Sequence, residues 1–385
     1  MKRRLVAGMV CTVVALWSSA EAASSPNAYP GNGEERRLWL RAGEEERVIN
    51  ESGLLYEDAR LEAYVNGVAR KLQPPHVLKE LPLEILVLKD PHLNAFAFPN
   101  GVIYVHTGIL ARMENEAQLA TLLAHEMTHC THRHALKAFR KLKNFKPADV
   151  SESCPHGALG RSGDLLTLLG STGALAAITG YTRELETEAD TVGFGLVVRA
   201  GYDLKEGAKL FEHLKEEVEL YKIKEPFVFG THPKLQKRVK NCKRFLDLGN
   251  FEERSGIKNE GTFLEKVHKV ILENARLDIK AGRFQMARKG LDKYLAIKPE
   301  DASAYYLLGE VCRQQGDQEK AKALLGRAIA LDPGNLNAYK AIGLIYYKVG
   351  ERGRARGFFE TCLALSANFP DRAYIEAYLA ECKKE

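Results

Sequence analysis

Apolar and polar residues follow two different periods in the first third of the chain. Between residues 35 and 72 the apolar residues recur at helical spacing, which predicts two amphipathic helices. Three short β-rich runs follow at Leu83–Leu88, Ala95–Phe98 and Val102–Val105, and the turn signal Pro99-Asn100-Gly101 separates the last two. The pattern therefore predicts a small antiparallel sheet after a pair of helices.

Helical spacing returns at Glu114 and continues to about His134, which predicts one long helix. The residues of 136–145 then place apolar side chains on one side and lysine and arginine on the other, as expected for a helix with a solvated basic face. Clusters of Pro, Ser and Gly predict a long loop at 146–164, and the apolar residues of 165–181 predict a buried helix. Loops of this length are often lids, so this loop could gate a nearby site.

The last third of the chain repeats its pattern every 34 residues. The matching positions are Gly282, Gly316 and Gly350, then Ala287, Ala321 and Ala355, and then the large apolar residues Leu291, Leu325 and Phe359. This pattern resembles tetratricopeptide repeats, in which small residues let paired helices pack closely. We expect three repeats from about His268 to Phe369, a capping helix at Asp371–Cys382, and a concave groove for protein partners.

The N-terminus has a basic start, an apolar run at Leu5–Trp17 and a small-residue ending, which is the pattern of a cleavable signal peptide at 1–22. Residues 23–34 are rich in Ser, Pro, Gly and Asn and predict a flexible tether. Because the apolar run is shorter than the ~20 residues that a membrane-spanning helix needs, we expect no stable membrane span in the mature chain. The predicted fold class is mostly α (α+β), with a helical domain and small sheet at 35–255 and an all-α repeat domain at 262–385.

Composition limits the functional classes. With 45% apolar and 28% charged residues the chain is globular and not disordered. Its formal net charge is +6, of which Lys2, Arg3 and Arg4 against Glu21 contribute +2, so the mature chain carries +4. This balance gives no argument for a nucleic-acid partner. The cysteines after the leader are widely and irregularly spaced, so no disulfide pair is predicted.

Five residues of the long predicted helix, His125-Glu126-Met127-Thr128-His129, have the spacing of a metal site. Positions i and i+4 lie on one helix face, so His125 and His129 can present both imidazoles to one metal ion. Glu126 is displaced from that pair and can reach a metal-bound water as the general base. Such a motif also arises by chance, and two solvated surface histidines are the alternative interpretation.

A catalytic zinc takes three protein ligands and keeps one position open, so a third donor is needed. The candidate is Glu186, which shares a helical face with Asp190; an ordinary solvated face is the alternative. At these residues the sequence resembles the HtpX/BepA-like and CAAX-prenyl-protease group of gluzincin peptidases, whose second motif is Glu-x-x-x-Asp. The resemblance implies that Glu186 is the third ligand and that Asp190 orients the ring of His125.

Other stretches are similar to the same family, and the likeness covers about residues 54–246. Asn94–Val105 resembles the strand and turn before the active-site helix, which implies that an extended substrate binds by adding a strand. The segment around His232 and Arg238 resembles an element that returns to the active site. His232 would stabilise the oxyanion or occupy the open zinc position, and the sequence does not choose between these roles; Arg238 would support the site.

These features predict an exported zinc metalloendopeptidase with one Zn²⁺ per chain. The ligand set is complete without His132 and His134, which are expected on the surface. The combination with repeats resembles the BepA-like periplasmic proteases, which implies a location in the periplasm or at the membrane periphery, and a role in outer-membrane protein assembly and quality control. Unfolded or misassembled envelope proteins would be the substrates, and the repeats would bind protein partners such as the outer-membrane assembly machinery. The alternative is a chaperone or assembly scaffold with a largely silent zinc site.

Overall fold

The structure is a computed structural model, and it describes residues 30–143, 181–220, 235–249, 251 and 253–384. The predicted signal peptide, the loop at 146–164, all but the last residue of the apolar segment 165–181, and His232 lie outside the described residues. The chain divides into two compact units, Met1–Lys266 and Val267–Glu385. The predicted domain limits, 35–255 and 262–385, stay a prediction.

The first unit is mostly helical, as the sequence predicts, with one small sheet. Its elements are α1 Gly33–Glu51, α2 Ala59–Leu72, α3 Pro75–Glu80, β1 Glu84–Leu88, β2 Ala95–Ala97, β3 Val102–His106, α4 Thr107–Arg112, α5 Glu116–Thr131, α6 His134–Lys143, α7 Arg183–Arg199, α8 Leu204–Leu220 and α9 Leu235–Gly249. Among the described helices, none has both the length and the apolar content needed to cross a membrane.

Helix α1 begins inside the predicted tether, so that prediction is wrong at its last residues. Asn32 adopts an extended conformation, and its side chain accepts hydrogen bonds from the backbone N–H groups of Glu34 and Glu35. The Glu35 carboxylate in turn accepts from the backbone N–H of Gly31. Asn32 and Gly33 therefore belong to the N-terminus of a helix instead of a flexible linker.

The sheet is mixed, which corrects the antiparallel sheet predicted from the sequence. Strand β3 lies in the middle, pairs antiparallel with β2 and pairs parallel with β1, so the strand order is β1-β3-β2. The three runs and the turn between β2 and β3 were predictable because strand residues alternate locally. Pairing order depends on the path of the connection, and here the segment after β1 crosses over so that β3 returns beside it.

Helix α5 is the centre of the first unit, and every residue from Glu116 to Cys130 is buried. The carboxylate of Glu116 is the acceptor for four donors: Tyr64 Oη at 2.7 Å, Tyr202 Oη at 2.5 Å, Lys71 Nζ at 3.0 Å and Asn259 Nδ2 at 3.0 Å. Burial alone would raise the pKa of Glu116, but the hydrogen bonds from Tyr202, Tyr64 and Lys71 lower it below its ordinary value. These bonds fix the first turn of α5.

The long helix predicted to reach His134 ends earlier, at Thr131. Arg133 has a φ of 54°, in the left-handed region, and the chain turns there before α6 begins at His134. The Arg133 side chain pairs with Glu35 of α1 at 2.8 Å, which holds the turn in place. Helical periodicity continues through this stretch, so the sequence pattern alone did not reveal the break.

The second unit contains the paired helices that the 34-residue period predicts, since the repeat glycines Gly282, Gly316 and Gly350 all have φ between 71° and 86°. Each ends the first helix of a pair, where only glycine adopts this conformation without strain. The elements are α10 Glu260–Lys280, whose first residues belong to the first unit, with α11 Phe284–Ile297, α12 Ala302–Gln314 with α13 Gln318–Leu331, α14 Leu336–Lys348 with α15 Arg352–Leu365, and the capping helix α16 Arg372–Cys382. The repeat alanines are fully buried between the helices.

Two glycine substitutions in the same repeat should change stability in opposite directions. Gly316→Ala should destabilise the protein by about 1–2 kcal/mol, because an L residue is strained at the φ of 86°. Gly326→Ala is the matched control: Gly326 is an exposed residue inside α13, and a β-carbon there meets nothing within 4 Å. That change should stabilise by about 0.5–1 kcal/mol. Chemical denaturation followed by circular dichroism measures both, and equal effects would contradict the assignment of the turn.

Candidate metal centre

Three side chains from two helices converge in the interior of the first unit. His125 and His129 of α5 place their Nε2 atoms 3.1 Å apart, and Glu186 of α7 places carboxylate oxygens 3.5 Å and 3.6 Å from them. One ligand atom from each lies within 4.8 Å of the others, and all three residues are at most 2% exposed. The sequence predicted these three residues as the metal ligands, and the structure brings them together.

The donor set and its spacing fit zinc. Two imidazoles and one carboxylate are a common ligand set of catalytic zinc. A tetrahedral zinc with bonds of about 2.0–2.1 Å sets its ligand atoms about 3.3 Å apart, and the three separations of 3.1–3.6 Å agree with that value. The residues present can therefore hold a zinc ion without a large rearrangement.

A glycine that sequence reasoning missed lets α7 approach α5 closely. A β-carbon built on Gly193 would lie 3.1 Å from the backbone nitrogen of His125, so the two helices touch backbone to backbone here. Glu186, Asp190 and Gly193 follow one another at i, i+4 and i+7 and share one helix face. That spacing was the available signal, because a small residue on a face with two acidic residues indicates close packing.

Asp190 lies behind His125, as the family resemblance implies. Its Oδ1 is 3.1 Å from His125 Nδ1 and 3.2 Å from Arg238 Nε, and its Oδ2 accepts from Asn241 Nδ2 at 2.9 Å. Burial would raise the pKa of Asp190, but Arg238 and His125 keep it below the ordinary value. The carboxylate is therefore charged, and it accepts the Nδ1–H of His125 so that Nε2 faces Glu186.

The same environment raises the pKa of His125. Burial and the nearby Arg238 act to lower it, but the hydrogen bonds with Asp190 and Glu186 outweigh them and raise the pKa to about 9. The metal-free site is therefore expected to hold a proton that a bound cation replaces. Arg238 itself contacts Asp190 and lies over the ring of Phe211, with 4.3 Å between its guanidinium carbon and the ring centroid, and supports the site from behind.

Glu126 follows the first histidine and is 2% exposed. It does not belong to the cluster of three and instead lines a small cavity on the side of the helix that faces β2. The polar residues of this cavity are Asn94, Glu126 and Arg238. The rest of its wall is apolar and consists of Leu93, Ala95, Ile109, Leu122, Phe211, Leu214 and Leu235. A carboxylate in this position can accept a proton from a group that enters the cavity.

His134 and Tyr181 complete the surroundings of His129, and the sequence prediction for His134 is wrong. His134 is fully buried and not on the surface, and its Nδ1 lies 3.0 Å from His129 Nδ1. The ring of Tyr181 stacks on His129 with centroids 4.0 Å apart. Two residues that are five positions apart do not lie on the same face of a helix. Only the turn at Arg133 brings His134 back to His129, so helical periodicity could not predict this contact.

Two further glutamates of α7, Glu184 and Glu188, have different surroundings from Glu186. Glu184 is fully exposed. Glu188 is partly exposed and binds Lys137 Nζ at 3.2 Å, while its other oxygen lies 3.5 Å from His134 Nε2. His132 stays partly exposed, as predicted for a surface residue.

Comparisons with known proteins cover both units. Residues 56–245 match the family model described as Peptidase family M48, and residues 309–350 and 338–373 match models of the TPR repeat and the Tetratricopeptide repeat. These matches confirm the family resemblance and the mostly helical fold class.

Three curated relatives show the extent of the likeness. The Beta-barrel assembly-enhancing protease of Escherichia coli strain K12 is 26% identical over 262 residues, which is 63% of this chain and 52% of the relative. A Putative beta-barrel assembly-enhancing protease of Vibrio cholerae is 27% identical and covers 50% of this chain and 40% of the relative. The Mitochondrial metalloendopeptidase OMA1 of Schizosaccharomyces pombe is 30% identical over 48% of this chain and 52% of the relative. The chain therefore spans about half the length of the curated relatives it matches.

Proposed function

Because residues 56–245 belong to Peptidase family M48, we propose that the chain is a zinc-dependent endopeptidase with one Zn²⁺ per chain. The observation that carries this proposal is the convergence of His125, His129 and Glu186 at separations that suit tetrahedral zinc. Glu126, the next residue after the first histidine, is the proposed general base. The names of the relatives, a protease and a metalloendopeptidase, agree with this reaction class.

Each residue has a separate part in the proposed hydrolysis. When bound, zinc supplies a Lewis acid and lowers the pKa of a water molecule to about 7. His125, His129 and Glu186 hold the metal, and Asp190 fixes the tautomer of His125. Glu126 accepts the proton of the attacking water and passes it to the leaving amine. We keep His232, which lies outside the described residues, as the candidate oxyanion donor or fourth ligand.

We propose that the substrate binds as an added strand at β2. Strand β3 pairs with one edge of β2, and among the described strands none pairs with the other edge. Asn94 and Ala95, at the start of β2, line the same cavity as Glu126, so a chain that extends the sheet passes close to the general base. Backbone hydrogen bonds would then give most of the affinity, and sequence preference would be loose.

The cellular role is proposed from the leader and the relatives. We place the protein in the periplasm, in outer-membrane protein assembly and quality control, with misassembled envelope proteins as substrates. The name Beta-barrel assembly-enhancing protease supports this role, and the signal-peptide pattern supports export. The tetratricopeptide repeats support binding of protein partners. The mass of the chain recovered from a periplasmic fraction tests the proposed export, because the mature chain should lack residues 1–22. A chain that keeps this leader would contradict export through a cleaved signal peptide.

Metal content and cleavage together test the reaction. Protein purified with zinc should contain about one Zn²⁺ per chain and cleave casein, a strong chelator should abolish cleavage, and added zinc should restore it. Cleavage that survives complete removal of zinc would exclude the proposed mechanism. Stoichiometric zinc without any cleavage of several unfolded substrates would favour the scaffold alternative.

A further inference from the structure

The two histidines of the metal centre are held by different kinds of partner. The ring of His125 faces a carboxylate, because Asp190 Oδ1 lies 3.1 Å from its Nδ1. The ring of His129 faces a second imidazole, because His134 Nδ1 lies 3.0 Å from its Nδ1. His134 is fully buried and comes from α6, on the far side of the turn at Arg133. A buried histidine in this place needs an explanation that packing alone does not give, since an apolar ring would fill the same space.

We propose that His134 is the positioning residue for His129, and that its Nδ1 accepts the hydrogen bond that aims His129 Nε2 at the metal. The inference rests on the proposed zinc site and deepens it. Metal-binding histidines generally use their second ring nitrogen for such a bond, which fixes both the tautomer and the ring orientation. In this chain the partner is an imidazole from a separate helix.

The direction of the hydrogen bond between the two imidazoles follows from the position of His129 Nε2. His129 Nε2 points to His125 and Glu186, so its proton is on Nδ1, which donates to His134 Nδ1. His134 then carries its own proton on Nε2, and that atom lies 3.5 Å from a carboxylate oxygen of Glu188. Glu188 is held in turn by Lys137 at 3.2 Å. His129 therefore has an imidazole as its hydrogen-bond partner, and a partly exposed carboxylate lies near the far nitrogen of that imidazole.

Tyr181 restricts the same ring in a second direction. Its ring is nearly parallel to that of His129, at 16° and 4.0 Å between centroids, and it meets His134 edge to face at 5.8 Å. Stacking holds the plane of the His129 ring. It does not distinguish the two orientations that are related by a 180° rotation about the Cβ–Cγ bond. The hydrogen bond to His134 sets that rotation, so the loss of this bond should change metal binding even if the ring stays packed.

Zinc affinity of three variants tests the proposal. His134→Phe keeps a ring of similar volume and removes the acceptor, and it should weaken zinc binding by about 10–100-fold. His134→Asn places a carbonyl oxygen near the position of Nδ1 and should bind zinc nearly as tightly as the wild type. His213→Phe is the matched control, because His213 is 46% exposed and pairs with Glu114 at 3.7 Å. Competition with a chromophoric chelator measures affinity, and the visible spectrum of the Co²⁺-substituted protein reports the geometry of the ligands.

The outcomes separate a positioning role from a structural one. Unchanged zinc affinity and an unchanged Co²⁺ spectrum in a folded His134→Phe protein would overturn the proposal, as would a His134→Asn protein that loses as much affinity as His134→Phe. If His134→Phe does not fold, His134→Ala decides in the same way, since it also lacks the acceptor and needs less space. Failure of the wild type to bind one zinc would refute the proposed function itself, so the two failures are distinguishable.

Discussion

Glu126→Gln should reduce casein cleavage by about 10²–10⁴-fold while the protein keeps its zinc. Glutamine has the shape of glutamate but cannot accept the proton of the attacking water. Glu126 is buried beside the cavity and is not one of the three converging donors, so its replacement should leave metal content near one per chain. Initial cleavage rates of zinc-loaded protein and zinc content by mass spectrometry measure the two effects separately.

Glu184→Gln is the matched control for this experiment. It is the same chemical change on α7, at a fully exposed carboxylate two residues from Glu186. Its cleavage rate should equal that of the wild type. A Glu126→Gln protein that cleaves casein at the wild-type rate would show that the catalytic assignment is wrong. In cells, Glu126→Gln separates the effects of proteolysis from those of any scaffold role of the repeats.

His125→Ala should abolish stoichiometric zinc binding. The substitution removes one of three ligands and also leaves the buried carboxylate of Asp190 without one of its donors. The loss of affinity should exceed the ~10–100-fold that is typical for outer partners of metal ligands, such as Asp190 or His134. Metal content after dialysis against a weak chelator measures it, and casein cleavage should fall with the zinc.

His213→Ala is the control, because His213 is 46% exposed, pairs with Glu114 at 3.7 Å and is not one of the three converging residues. It should retain one zinc per chain. Circular dichroism of both variants shows whether the fold survives. A folded His125→Ala protein with one tightly bound zinc would place the metal at some other set of residues. The proposed roles of His129 and Glu186 would then be wrong as well.

Local patterns predicted most of the fold and of the site, because the physics behind them is local. His125 and His129 are four residues apart on one helix, and the repeat glycines such as Gly316 mark a turn that needs a positive φ. The parallel pairing of β1 with β3 was missed because the alternation of apolar and polar residues along a strand does not indicate which strand lies beside it. His134 was missed for a related reason: its contact with His129 depends on a turn that interrupts an otherwise continuous helical pattern.

The hydrogen bonds around Glu116 also have a consequence for protein engineering. The backbone N–H of Glu116 donates to the carbonyl of Lys258 at 2.9 Å, Asn259 donates to its carboxylate, and the Lys258 ammonium lies 2.7 Å from Glu206. The residues just before helix α10 are therefore built into the base of the helix that carries His125. A chimera that exchanges the repeat array with that of a relative should be joined after Asn259, because an earlier junction would replace residues that anchor the catalytic helix.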